Sequence, residues 1–357
     1  VQMLMVAVSV GTGVGINSLL SRRLGEKRFD DANKAATNGV FLCVISSVVF
    51  ALFGLFFATP FFRAFTADET IVQMGVQYLS ICTIFSLGVF VQVAMERILQ
   101  ATGVTIYNML MQGAGAITNI ILDPILIFGW FGLPAMGVAG AAWATILSQG
   151  VSALLCLVYM LKKFPILRTG RADWAWHGPM VRRLARMGIP TALSNSVTAI
   201  GCMILQVTIN GFGSTVVAAY TAASKVEQLT TQPTFTFGLA AATFTAQNAG
   251  AGKLDRVKDG VRKATVLNLI AGLAAAVVVW LFAAPITTWF VDPGETAVIA
   301  ASVQFLNIEA VFILALGVLF VYRNALQGLG NAVMPLISGG VELAMRLAAA
   351  ILLSRFL

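Results

Sequence analysis

The chain is a succession of long apolar runs separated by short polar breaks. Ten such runs lie at 1–21, 34–59, 71–100, 105–130, 136–161, 183–211, 216–249, 262–285, 297–328 and 332–357. A helix rises about 1.5 Å per residue, so about twenty apolar residues cross a hydrocarbon layer of about 30 Å. Lipid offers no hydrogen-bond partners, and runs of this length can satisfy their backbone only as helices. Gly- and Pro-containing breaks, such as Thr59-Pro60 and 129–134, separate them. The pattern predicts an all-α polytopic membrane protein.

The pattern also repeats. Gly25, Asp30, Pro60 and Phe65 recur 225 positions later as Gly250, Asp255, Pro285 and Phe290. Val76-Gln77-Tyr78-Leu79 recurs as Val303-Gln304-Phe305-Leu306, and Leu99-Gln100 to Gly103 as Leu326-Gln327 to Gly330, now 227 positions on. An ordered series with one small gap marks an internal duplication. Corresponding runs are six apart, an even number, so the two halves are expected to be parallel repeats, a transporter architecture. The first and fifth runs each lack one neighbour that their counterparts possess or require. The complete protein is therefore expected to have 12 helices in two six-helix repeats, of which about ten are present here. The expected division is an N-terminal lobe at 1–161, a basic linker at 162–182 and a C-terminal lobe at 183–357.

Composition sharpens this reading. The chain is 58% hydrophobic and 11% charged, against about 25% charged in soluble domains. A net charge of +8 suggests nucleic acid only until its location is read. Seventeen of the 23 Lys and Arg follow the first, fifth and seventh runs, and the even-numbered breaks hold only Arg63. The positive-inside rule places the odd breaks in the cytoplasm and excludes a nucleic-acid reading. The expected location is a bacterial plasma (inner) membrane, with both ends of the chain outside. Cys43, Cys82, Cys156 and Cys202 show no CxxC spacing and read as reduced packing residues. His177, the only histidine, lies beside Trp174 and Trp176 in the linker, and reads as part of an interfacial amphipathic stretch rather than a metal ligand.

Candidate chemistry rests on acids within apolar runs. An acid at the bilayer centre costs about 2.5–3.5 kcal/mol on insertion scales, so such residues tend to mark ion or proton paths. Five of the fifteen acids lie outside breaks: Glu96, Asp123, Glu227, Glu309 and Glu342. Glu96 adjoins Arg97 and reads as a structural or interfacial charge. Glu342 and Arg346 are four apart in the order that favours an ion pair. Glu227 has Lys225 nearby, reads as near the start of its helix, and is assigned a structural role. Glu309 has no evident local partner, and functional and structural readings are balanced. Asp123 follows Asn119 by one turn, so both share a face. Pro124 follows at once and is expected to free backbone carbonyls near the acid. These hard oxygens suit Na⁺. Gly11, Gly13 and Gly15 read as close helix packing. The 24 Phe and 13 Met could line a pliable pocket. No G-x-x-x-x-G-K-[ST] occurs, so ATP is not the expected energy source.

Several stretches together resemble the MATE multidrug and toxic-compound extrusion transporters. They are 11–25 with Arg22 and Arg23, the Asn119-to-Asp123 spacing, 137–145, Gly188-Ile189-Pro190, 218–233 (AAYTAASKVEQLTTQP), 247–253 (QNAGAGK) and 323–330 (RNALQGLG). The resemblance implies two six-helix lobes around a cleft that opens alternately to each side. It implies export of amphipathic, often cationic drugs driven by inward Na⁺ or H⁺, with no other cofactor, by a chain working as a monomer. Its first-lobe cation or proton site falls on Asn119 and Asp123, with the threonine of its sixth helix on Thr145; its first-helix aspartate is absent. Some members use acids on the seventh and tenth helices instead. The seventh here lacks one, and Glu309 is the second-lobe candidate. A lipid-linked saccharide flippase of the same broad superfamily is the alternative, though it would want a cationic cavity, and intramembrane arginines are only Arg97, Arg323 and Arg346. An enzyme is not expected: one histidine excludes H-E-x-x-H, and no G-x-S-x-G occurs.

Overall fold

A computed structural model of the chain describes residues 2–63, 68–164 and 170–353. Phe65 of the repeat and Arg168 of the linker lie outside the described residues. Eleven α-helices occur among those described: α1 (Gln2–Gly25), α2 (Phe29–Arg63), α3 (Glu69–Ile84), α4 (Leu87–Ala101), α5 (Thr105–Phe128), α6 (Val138–Lys163), α7 (Gly178–Asn210), α8 (Ser214–Gly250), α9 (Leu254–Thr287), α10 (Thr296–Gly328) and α11 (Val333–Leu353). No strand occurs among them.

Each apolar run is helical, with two departures. The third run is two helices, α3 and α4, bent by 45°. No Pro lies at the bend, but Ser86 and Gly88 do. Ser86, fully buried at the break, turns its hydroxyl out of the helix to donate to the Ser47 carbonyl of α2 at 3.3 Å. The other departure is α8. Eight single helices are long and apolar enough to cross a membrane, and the bent pair makes a ninth. α8 is not among them. Its 37 residues are ample in length, but Thr, Ser, Gln, Lys225 and Glu227 interrupt the alanines.

The duplication governs where helices start and stop. α1 and α8 end at Gly25 and Gly250, and α2 and α9 begin at Phe29 and Leu254, both 225 apart. α3 and α10 begin at Glu69 and Thr296, and α4 and α10 end at Ala101 and Gly328, both 227 apart. The turns agree as well. Lys27 (φ 57°) occupies the left-handed conformation that Gly252 (φ 72°) takes in the second copy, and Gly103 (φ 86°) matches Gly330 (φ 89°). Glycine adopts this region freely, and Lys27 does so at some strain.

The chain forms two compact units, Val1–Leu193 and Ser194–Leu357. The boundary lies within α7, three residues past Pro190. In the first unit, Phe90, Ile98 and Leu99 of α4 meet Ile16 and Leu20 of α1 in a core with less than 2% exposure. α1 also approaches the start of α7 at backbone distance. A Cβ on Gly11 would lie 2.7 Å from the Gly188 carbonyl, and one on Gly15 2.8 Å from that of Leu184. This is the small-residue contact expected where lipid replaces water and packing drives association. α2 accordingly buries Ala32, Ala35 and Ala36 and exposes Val49, Leu55, Phe56 and Phe57. The described part of the linker closes over α2. Thr37 donates to the Asp173 carbonyl at 2.7 Å, the Asn38 amide caps the His177 N–H at 3.0 Å, and Trp174 and Trp176 flank Phe41. In the second unit, α8, α9 and α10 enclose Ala223, Val226, Val279 and Leu306. Asn268 of α9 donates to the carbonyls of Thr234 (3.4 Å) and Gly317 (3.1 Å), joining α9 to both neighbours.

Candidate functional site

Asn119 and Asp123 lie on α5, half-buried and one turn apart. Asp123 is eighteen residues into the helix, about 27 Å from its start at the α-helical rise, towards the end that the basic breaks assign to the outside. Pro124 lies inside the helix. It has no N–H to offer the carbonyl of Ile120 and crowds it, so that oxygen is released between the two polar side chains. Two further carbonyls at this end are satisfied: Leu126 and Ile127 accept from the backbones of Met136 (3.0 Å) and Gly137 (3.2 Å).

Thr145 is on α6, the neighbour of α5. Gly140 abuts the Leu126 carbonyl, and a Cβ on Gly115 would meet Ser152 at 3.0 Å and the Ser148 carbonyl at 3.1 Å. These two approaches make the pair antiparallel and set Asn119 and Asp123 opposite 142–148. The register therefore brings Thr145 into the layer of the two α5 residues. Its hydroxyl donates to Ala141 at 2.9 Å, which leaves oxygen lone pairs to accept.

The polar atoms here are short of partners. Asp123 forms no salt bridge among the described residues. Asn119 Nδ2 is buried and donates to nothing, the Asp123 carboxylate included. Asn108 Oδ1 on α5, and Gln149 Oε1 and Ser152 Oγ on α6, are also buried and unpartnered. Orphaned polar groups are expensive in an apolar medium. Four on one helix pair, running from near the start of α5 to the acid, make a polar track that water or an ion can complete. Sequence reading found Asn119 and Asp123 because i,i+4 is visible along the chain. It missed Asn108, Gln149 and Ser152, which converge only across two helices; their polar type inside apolar runs was the available signal.

Glu309 is half-buried on α10 in the second unit. Its own stretch of α10 supplies no ion-pair partner, and its nearest charged influence comes from another helix. Glu227 of α8 lies within electrostatic reach, and Glu227 in turn feels Arg346. Glu227 stands thirteen residues into α8, not near its start. The Glu342–Arg346 pair forms, at 2.8 Å, and it has a third member. Arg323 of α10 reaches Glu342 at 3.5 Å and donates to Ser194 Oγ at 2.8 Å. Arg97 donates to Gln100 at 3.0 Å, and Gln100 to Glu96 at 2.9 Å, so the expected Glu96–Arg97 association runs through a bridging amide. Three cysteines are buried packing residues; Cys202 instead is exposed and accepts from Arg346 Nη1 at 3.5 Å.

A duplicated all-helical chain whose spans carry unpaired polar groups defines a polytopic membrane protein with a polar site inside it. The chain belongs to the MatE family, whose model matches residues 1–125 and 190–352. It is 26% identical over 303 residues to the probable multidrug resistance protein YoeA of Bacillus subtilis, covering 83% of this chain and 65% of that protein. It is 27% identical over 344 residues to the probable multidrug resistance protein NorM of Thermotoga maritima, covering 94% of this chain and 71% of that one. The chain thus spans about two thirds of the length of these relatives. A solved MOP superfamily transporter from Pyrococcus furiosus shares the fold, with a TM-score of 0.89 at 22% identity, covering 99% of this chain and 79% of that one.

Proposed function

We propose that the protein is a secondary multidrug exporter of a bacterial inner membrane, working as a monomer. It exchanges inward Na⁺ or H⁺ for outward amphipathic or cationic drugs by alternating access. The carrying observation is Asp123, an acid in an apolar helix with no ion-pair partner, beside a buried amide that also lacks one. A carboxylate so placed demands a counter-charge, and a proton or Na⁺ supplies it. Asn119 can turn its carbonyl to a cation or its amide to the bare carboxylate, and so serves both occupancies. The Ile120 carbonyl and Thr145 hydroxyl extend the oxygen set that a hard cation prefers. Coupling requires that Asp123 meet different surroundings in the inward- and outward-open states, since a ligand shifts an equilibrium only by its differential affinity. The names of the Bacillus and Thermotoga relatives support the drug assignment. The flippase alternative loses ground on its own requirement: Arg323 and Arg346 are committed to Glu342, and Arg97 to Gln100.

The test is drug efflux in vesicles with Na⁺ and pH gradients imposed separately. One gradient alone should drive efflux of the unaltered protein. Asp123→Asn is nearly isosteric and removes the charge. It should reach the membrane and bind drug, but lose gradient-driven efflux by tenfold or more. Full efflux by Asp123→Asn together with an inactive Glu309→Gln would move the coupling site to the second unit.

A further inference from the structure

One cluster outside this site gathers basic side chains round a cavity. A cavity of about 410 Å³ lies where the end of α1, the start of α2 and the first turn of α7 meet, all within the first unit. Arg23, Arg28, Lys34, Arg183 and His177 line it with a single acid, Asp31. Asp31 is already engaged, at 2.8 Å from Arg28 and 4.0 Å from Arg23. Glu26 pairs with Arg23 from behind. The remaining charge is two uncompensated cations: Lys34 and Arg183 form no ion pair among the described residues.

The cations are gathered round a cavity, which distinguishes them from a solvated basic surface. Arg23 is only 8% exposed and is held by Glu26 and, at 4.0 Å from its Nε, by Asp31, so it forms a buried, ion-paired wall of the cavity. His177 Nδ1 lies 2.7 Å from the Ala175 carbonyl, which fixes the ring at the cavity wall. The first turn of the 33-residue helix α7 opens on the same cavity and adds its positive dipole end. The cavity lies among the helix ends that the basic breaks assign to the cytoplasm, the side on which anionic headgroups attract basic residues.

We propose that this cavity binds a phosphate group, with Arg23, Lys34 and Arg183 as its donors. The phosphate would come from the headgroup of an anionic phospholipid or from free phosphate. Its charge of minus one to minus two matches the two uncompensated cations. Bound there, it would tie α1 and α2 to the start of α7.

The purified full chain in neutral detergent is titrated with phosphatidylglycerol, followed by native mass spectrometry, and separately with inorganic phosphate, followed by calorimetry. Lys34 and Arg183 are half-buried and exposed, so Lys34→Gln/Arg183→Gln should fold, which a melting curve checks. At about 1 kcal/mol per cation the double variant should bind about thirtyfold more weakly, and Arg183→Gln alone about fivefold. The charge-matched control is Arg256→Gln/Lys258→Gln at the start of α9, the repeat counterpart of α2, which should bind as the parent does. A lipid-specific loss identifies a headgroup site; a loss confined to inorganic phosphate identifies free phosphate. Either supports the proposal. Equal affinities of parent and double variant for both probes, equal weakening by the control, or no binding of either probe to the parent would overturn it.

Discussion

Asn119 keeps a buried amide nitrogen with no acceptor, at a position where alanine would fit an α5 helix better. An unsatisfied polar group of this kind costs about 1–3 kcal/mol, and its removal relieves that cost. Asn119→Ala should therefore leave the melting temperature in detergent unchanged or raise it. Gradient-driven efflux should fall, though less than in Asp123→Asn, because the charge itself remains. A melting temperature several degrees lower would mean that the amide has a structural partner and no coupling role. Asp123 and Asn119 were legible because their relation is local, one turn on one helix. Glu309 shows the converse: its electrostatic neighbour Glu227 is on another helix, 82 positions earlier, and no periodicity reports such a meeting. Arg323 joined Glu342 unseen on the same ground, though an arginine inside an apolar run always demands a partner.

At the level of elements, the apolar pattern gives the helices and the small residues give their contacts. Gly11 and Gly15 lie one turn apart and face the backbone of α7, whereas Gly150 of α6 has nothing within 4 Å of its missing Cβ. The same substitution should therefore have opposite signs. Gly15→Ala drives a methyl to 2.8 Å from a carbonyl that cannot retreat, and overpacking of this kind costs about 1–3 kcal/mol. Gly150→Ala meets open space and should gain about 0.5–1 kcal/mol of helix stability. Thermal unfolding of the two variants in one detergent compares them directly. Equal melting temperatures would dissolve the α1–α7 contact. What the pattern could not convey was the bend between α3 and α4. Ser86 and Gly88 stand at the break, but the bond that the Ser86 hydroxyl donates to a different helix is not visible along the chain.

At the scale of the molecule, parity of crossings joins the repeat to the topology. Between the α1–α2 break and the α8–α9 break lie α2, the bent α3–α4 pair, α5, α6, α7 and α8. If the bent pair crosses once and α8 crosses, that is six crossings, and both breaks face one side. α8 is the step that decides the parity, because its Thr, Gln, Lys225 and Glu227 keep it from qualifying as a span by apolarity alone. The duplication says otherwise: α8 ends 225 positions after α1, and both are followed by basic turns of the same left-handed geometry. Polar residues are tolerated in a span that faces other helices, and α8 buries Ala222, Ala223 and Val226 against α9 and α10. Cys202 is exposed while the other three cysteines are buried, so labelling should start from Cys202→Ser. Single cysteines at Asp30, Arg182, Arg256 and Glu295, all exposed, then separate the cases. Asp30→Cys, Arg182→Cys and Arg256→Cys should react in intact cells only with a membrane-permeant maleimide, and Glu295→Cys with an impermeant one. Arg182 reporting the side opposite to Asp30 would make α3 and α4 two crossings. With Asp30 and Arg182 alike, Arg256 on the opposite side would mean that α8 does not cross, and the two halves could not then be parallel repeats.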